Sequence, residues 1–289
     1  MPWSPATRYS HEPFVESILC ATDLSAAGLN AFAHALMMAL TLRCRFTLFH
    51  AGEAEDADRE WSLIPGVREV LERWGHIEKG SPRSAVFQKA AIQVKKVYVQ
   101  SRDALGELAD LLEEEPVDLV VIGTGGHGGL PRWLNPFSSF RIEPQAPTMT
   151  MFVPASGGFV SMAHGGFTLG RVLVPVAAHP DPHPAVTYAF RVAAFSSEDT
   201  VAMDLLHVGE ENQAPLVTWP ERDYLRWQML ARTGDVADQI LRTAAELDSG
   251  LIAMTTDGDD GLLGALHGSI TERVVRHAAC PVLAIPVAP

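Results

Sequence analysis

Short apolar runs recur along the chain at 17–21, 46–50, 95–100, 118–123 and 148–153, and again at 171–176, 200–208, 226–231, 251–255 and 282–287. Most are rich in Val, Ile or Leu and are bounded by polar residues or Gly. Near-continuous apolar runs of this length predict parallel strands covered on both faces, because a strand with one wet face alternates instead. Between the first runs lie stretches of helical character. Ala26 to Arg43 carries apolar residues at helical spacing, Asp103 can cap a helix reaching Glu114, and Ser81-Pro82 offers a cap followed by Pro in the first turn. Strand and helix in alternation predict an α/β architecture with a doubly wound parallel sheet.

The second set of runs is a diverged copy of the first. Asp118-Leu-Val-Val-Ile-Gly-Thr-Gly-Gly126 stands opposite Gly250-Leu-Ile-Ala-Met-Thr-Thr-Asp-Gly258, and the same offset pairs Gly129-Leu130 with Gly261-Leu262, Arg141 with Arg273 and Pro154 with Pro286. The starts of the copies match at a larger offset, Ile18-Leu-Cys-Ala-Thr-Asp23 against Val172-Leu-Val-Pro-Val-Ala177. His50 corresponds to His207, each closing an apolar run, and Asp103 corresponds to Asp235. Copy two has therefore lost residues between those landmarks. Its crossover, Glu210 to Arg226, contains Pro215 and Pro220 and leaves little room for a full helix. The expected organisation is an N-terminal extension over 1–16, repeat one over 17–154, a Gly-rich linker over 155–170 and repeat two over 171–289.

In copy two, Thr255-Thr-Asp-Gly258 is followed by Gly268-Ser269 and then by Thr271-Glu-Arg-Val-Val-Arg-His-Ala-Ala-Cys-Pro-Val282. That glycine spacing and the Cys-Pro-Val entry to a final strand resemble the universal stress protein family, twice over in one chain. So does Ala21-Thr-Asp23-Leu-Ser25 after the first strand. The resemblance implies two five-stranded, Rossmann-like halves of the adenine-nucleotide α-hydrolase type. It also implies a pseudo-dimer within the chain, joined through Thr148–Val153 and Val282–Val287, and leaves a homodimer open.

Glycines let backbone N–H groups approach phosphate oxygens, and a helix start beyond them adds unpaired donors and the positive end of a dipole. By resemblance, copy two would hold ATP or AMP with Mg2+ at Ala177, Val208, Met254, Thr255, Gly258, Gly268, Ser269, Ile270 and Thr271. The matching positions of copy one are Asp23, Ala51, Gly123, Gly126 and Gly129, but Pro136-Phe137 replaces its Gly-Ser pair. Copy two has Ala177 where the family carries Asp, and Asp257, Asp259 and Asp260 would oppose a polyphosphate unless a divalent cation intervenes.

Plainer roles compete with these. The glycines also serve a tight strand-to-helix turn, Asp23 with Ser25 also serves a helix cap, and His127 also fits a loop. His179 and His183 have a metal-type spacing, but Pro180, Pro182 and Pro184 oppose one regular helix face there. Cys20, Cys44 and Cys280 lack metal-type spacing, and Cys20 and Cys280 read as small core residues.

Composition narrows the partners. A net charge of −13 opposes nucleic acid and anionic membrane surfaces. Met1 to Glu16 has no apolar run of the signal or membrane type, so a cytoplasmic protein is expected. The chain has no Gly-x-x-x-x-Gly-Lys-Ser/Thr loop, and the loops after the two first strands lack the His-x-Gly-His and Ser-Gly-Gly-x-Asp-Ser signatures of nucleotide-dependent enzymes of this superfold. A binding protein rather than an enzyme is expected. The alternatives are an assembly module with two vestigial pockets and, behind it, such an enzyme.

Overall fold

The computed structural model describes residues 15–53, 61–62, 66–125, 148–257 and 270–287. Copy one contributes β1 (Ser17–Ala21), α1 (Ala26–Leu42), β2 (Arg45–Gly52), α2 (Val67–Arg73), α3 (Ser84–Ala90), β3 (Gln93–Gln100), α4 (Ala104–Glu114), β4 (Leu119–Thr124) and β5 (Met149–Pro154). Copy two contributes β6 (Arg171–Pro175), α5 (His183–Ala193), β7 (Val201–Val208), β8 (Leu225–Arg232), α6 (Val236–Glu246), β9 (Leu251–Asp257), α7 (Ile270–His277) and β10 (Val282–Val287).

All ten strands form one sheet in the order β3-β2-β1-β4-β5-β10-β9-β6-β7-β8, which reads as the same repeat from either end. Every neighbouring pair is parallel except β5 with β10, whose antiparallel register sets Thr150, Met151 and Phe152 opposite Ala284, Leu283 and Val282. The two halves thus meet edge to edge through their last strands. Pairing there removes two apolar edges that would otherwise recruit other chains.

Strand side chains alternate between two apolar layers. Ile18, Cys20, Val121, Val172 and Leu283 point to the layer under α1, α2, α3 and α5. Leu19, Ala21, Ile122, Leu173 and Val282 point to the layer under α4, α6 and α7. Both faces are covered, which is why the strands read as unbroken apolar runs. All three thiols are buried, and burial pushes them up, Cys44 and Cys280 to about 12, so they act as packing groups.

The repeat is visible in the caps. Asp103 accepts from the Gly106 N–H at 3.0 Å and Asp235 from the Asp238 N–H at 3.1 Å, starting α4 and α6 in the same way. The copies differ where the sequence is shortened: copy one crosses over through α2 and α3, whereas copy two has a three-residue 3-10 turn, Glu211–Gln213.

One local expectation is corrected. The helix expected from Ser81-Pro82 begins later, at Ser84, with Arg83 at the cap and no side-chain cap bond. Ser81 is instead buried in a turn, its N–H donating to Glu78, so its side chain is not at the helix start.

The 155–170 segment is packed, not merely a spacer. Phe159, Phe167 and Leu169 are fully or almost fully buried, and Val160 bridges Phe167. Two polar side chains of α1 hold it. Asn30 donates to the carbonyls of Pro154 and Gly157, and buried His34 accepts at Nε2 from the N–H groups of Phe159 (3.1 Å) and Val160 (3.3 Å). The His34 Nδ1, 2.8 Å from the Asn30 carbonyl, must then carry the proton. A Cβ on Gly158 would stand 2.3 Å from His34 Nε2, so only glycine lets the segment approach the ring.

Candidate functional site

In an open sheet of this kind, ligands bind beyond the carboxyl ends of the strands where the strand order reverses. Here that gives two crevices, between β1 and β4 and between β6 and β9.

In copy one, Asp23 lies just past β1, beside Thr124 at the end of β4, and Ala51 lies near the end of β2. The Asp23 carboxylate is engaged locally. Its Oδ1 accepts from the Ser25 N–H at 3.1 Å and from the Ser25 hydroxyl, while Ser25 Oγ accepts from the Gly28 N–H at 3.2 Å and caps α1. Gly123 has a packing role: a Cβ there would lie 2.5 Å from the Ala27 carbonyl carbon and 2.6 Å from the Gly28 nitrogen. The start of α1 therefore rests on β4 through a contact only glycine permits. Gly126, Gly129, His127, Pro136 and Phe137 lie outside the described residues.

In copy two, Ala177 is exposed just past β6, Val208 closes β7, and Thr255 lies near the end of β9 beside the β6–β9 gap. Ile270 and Thr271 open α7, which links β9 to β10. The structure thus brings these positions to one edge of adjacent strands. Met254 differs: its side chain is packed in the layer under α6 and α7, so a ligand would meet its main chain. Gly258, Gly268, Ser269, Asp259 and Asp260 lie outside the described residues, as does the side chain of Asp257.

The two copies share a histidine at the crevice wall. His50 Nδ1 lies 2.8 Å from the Thr22 carbonyl, and His207 Nδ1 lies 3.2 Å from the Val176 carbonyl. In copy one the ring is walled by Trp61 and Tyr98, at 5.9 and 5.8 Å between centroids. In copy two the strand position opposite His207 is Ala231 and the shortened crossover brings no counterpart of Trp61. His207 is 8% exposed, and its Nε2 is buried with no hydrogen-bond partner among the described residues. A buried imidazole nitrogen of this kind costs stability unless something bonds to it. The signal for this pair in the sequence is the repeat itself, which ends matching strands in Phe49-His50 and Leu206-His207.

His183 is not placed with His179 on one helix face, because α5 begins at His183 with Pro184 in its first turn. His183 instead pairs with Asp181 at 2.7 Å, and these hydrogen bonds hold the Asp181 carboxyl below its usual range. Among the described residues no group of three His, Cys, Asp or Glu side chains is placed to hold a metal ion. Nor is any described helix long and apolar enough to cross a membrane.

The model of the universal stress protein family matches residues 15–140 and 221–286, more than half of the chain. The chain belongs to the universal stress protein family. Its tandem form matches solved structures over nearly its whole length. A universal stress protein from Archaeoglobus fulgidus DSM 4304 is 15% identical with a TM-score of 0.54, covering 94% of this chain and 98% of that one. A putative universal stress protein from Pseudomonas aeruginosa UCBPP-PA14 is 16% identical with a TM-score of 0.54, covering 94% and 93%. A functionally unknown protein from Pseudomonas aeruginosa PAO1 is 15% identical with a TM-score of 0.55, covering 94% and 92%. At these identities the likeness carries the fold. No curated protein matches the chain. The second stretch matched by the family model begins at Glu221, beyond β6, α5 and β7, where copy two has Ala177 and its shortened crossover.

Proposed function

We propose that this universal stress protein is a nucleotide-responsive binding module that holds an adenine nucleotide, ATP or AMP, in copy two. The observation that carries this reading is the asymmetry of the crevices. In copy one the acidic side chain after β1 is engaged by Ser25 and the histidine wall is closed by Trp61 and Tyr98. In copy two the equivalent histidine keeps a buried Nε2 with no partner among the described residues, and exposed Ala177 follows the Val176 whose carbonyl its Nδ1 meets. The Gly258, Gly268 and Ser269 spacing adds phosphate-binding character ahead of α7. Residues Asp257, Asp259 and Asp260 call for Mg2+ between them and the phosphates. We read it as a cytoplasmic binding protein without nucleic-acid or membrane partners, and as a binder rather than an enzyme because the loops after the two first strands lack the His-x-Gly-His and Ser-Gly-Gly-x-Asp-Ser signatures.

Mass spectrometry of the natively purified chain tests this. An adenine nucleotide retained near one per chain supports the reading. A chain that retains none and takes up none on titration favours the second reading, an assembly module, for which the antiparallel β5–β10 seam speaks independently.

A further inference from the structure

We infer that the chain carries a second small-molecule site, remote from both crevices, which takes an amphiphilic monoanion: a carboxylate on an apolar body. A cavity of about 790 Å3 opens where the end of α1, the crossover of copy one, the 155–170 segment and Ser197 of copy two meet. That volume is within the range of small-molecule sites. It lies at the amino-terminal edge of the sheet. The 17 residues of α1 put about 25 Å of helix between it and the copy-one crevice.

The lining is mixed: half-buried Trp74, with Ala90 and Ala91, offers apolar surface above Leu40 and Phe167, which are themselves covered at 8% and 2% exposure. The Trp74 indole N–H donates to the Met162 carbonyl at 3.1 Å, which fixes the ring against the segment.

The rim is basic. Arg43, Lys89 and His164 stand around it, and no carboxylate is among the residues that line the cavity, in a chain of net charge −13. Lys89 also lies 3.2 Å from Glu78, outside the lining, but both side chains are well exposed and such a pair contributes little. His76 is pushed down by burial, so it offers a neutral polar contact at pH 7 rather than charge.

Arg43 and Lys89 also stand at the carboxyl ends of α1 and α3, where a cation is stabilising without any ligand. Arg43 ends α1 in the left-handed region, as Ala91 ends α3. The Arg43 φ of 55° is in the place where helices ordinarily end in glycine. Arg43 presents a planar guanidinium that matches a carboxylate in two parallel bonds. One anionic head on the rim with an apolar body against Trp74 and Ala90 uses both kinds of surface, whereas a polyphosphate would leave Trp74 uncovered.

Calorimetric titration of the full chain with dodecanoate tests the assignment, with dodecanol and dodecyltrimethylammonium as charge controls, with and without saturating MgATP. The expected result is one dodecanoate per chain, binding at least about tenfold tighter than either control and unaffected by MgATP. Lys89→Gln and Arg43→Gly should each weaken it about tenfold. Arg43→Gly suits the left-handed backbone, which offsets the lost cation at the helix end, so its melting temperature should change little. No binding at about 1 mM, equal affinity for the controls, or unchanged affinity in Arg43→Gly overturns the site. Displacement by MgATP overturns its separation from the crevices.

Discussion

His50 and His207 hold the same bond in the two copies, each turning Nδ1 to the carbonyl of the residue after the neighbouring strand, Thr22 and Val176. What differs is the far side of the ring, which Trp61 and Tyr98 flank in copy one, while in copy two Nε2 has no partner among the described residues. His50→Phe should cost about 1 kcal/mol of stability through the lost bond, whereas His207→Phe should cost less, because it also removes the buried unpaired nitrogen. Only His207→Phe should weaken nucleotide binding. Paired denaturant melts and ligand titrations on the two variants check this, and equal effects on binding would count against the asymmetry.

The His34 tie predicts a pH dependence. Burial pushes this histidine down to about 4 from an ordinary 6.5, and its Nε2 must stay unprotonated to accept from Phe159 and Val160. The folded state thus binds fewer protons than the unfolded chain between those values. Its contribution is fully present above about pH 6.5 and is lost as pH falls toward 4, roughly 3 kcal/mol in all. His34→Gln should be less stable at pH 7 and lose less stability across that window. Urea melts at pH 7, 5.5 and 4.5 compare the two, and parallel curves would refute the assignment.

At the seam, Thr150 is 3% exposed and its hydroxyl has no partner among the described residues. Thr150→Val keeps the shape and removes the unsatisfied oxygen, so it should stabilise by about 1 kcal/mol. Met151, fully buried on the same strand, should cost about 2–4 kcal/mol as Ala. Thermal melts decide both signs.

Gly123 separates packing from binding. Gly123→Ala forces a Cβ against the Ala27 carbonyl carbon and should cost about 1–3 kcal/mol. Ligand affinity in copy two should be unchanged, as read by titration below the melting temperature.

Strand positions were readable in the chain because burial on both faces leaves an unbroken apolar run, and β1 and β10 fall where those runs predict. The repeated Asp103 and Asp235 caps were readable for a similar reason, since capping is local chemistry. The 155–170 segment was not. Its glycines read as a linker because the side chains that hold it, Asn30 and His34, lie on a distant helix whose pattern looks purely apolar. The start of α3 was missed because Ser81 spends its N–H on a turn with Glu78, a choice made by the crossover's packing. At the site, the equivalence of His50 and His207 could be read, but the open Nε2 depends on Ala231 and on a crossover that tertiary structure alone brings near.

The asymmetry of the two crevices is tested most directly by titrating MgATP into the native chain, Gly268→Val and Gly126→Val, and repeating the native titration after chelating magnesium. The account predicts binding by the native chain, its loss in Gly268→Val and on chelation, and near-native affinity in Gly126→Val. Equal loss in Gly126→Val, or affinity that survives chelation, would contradict it.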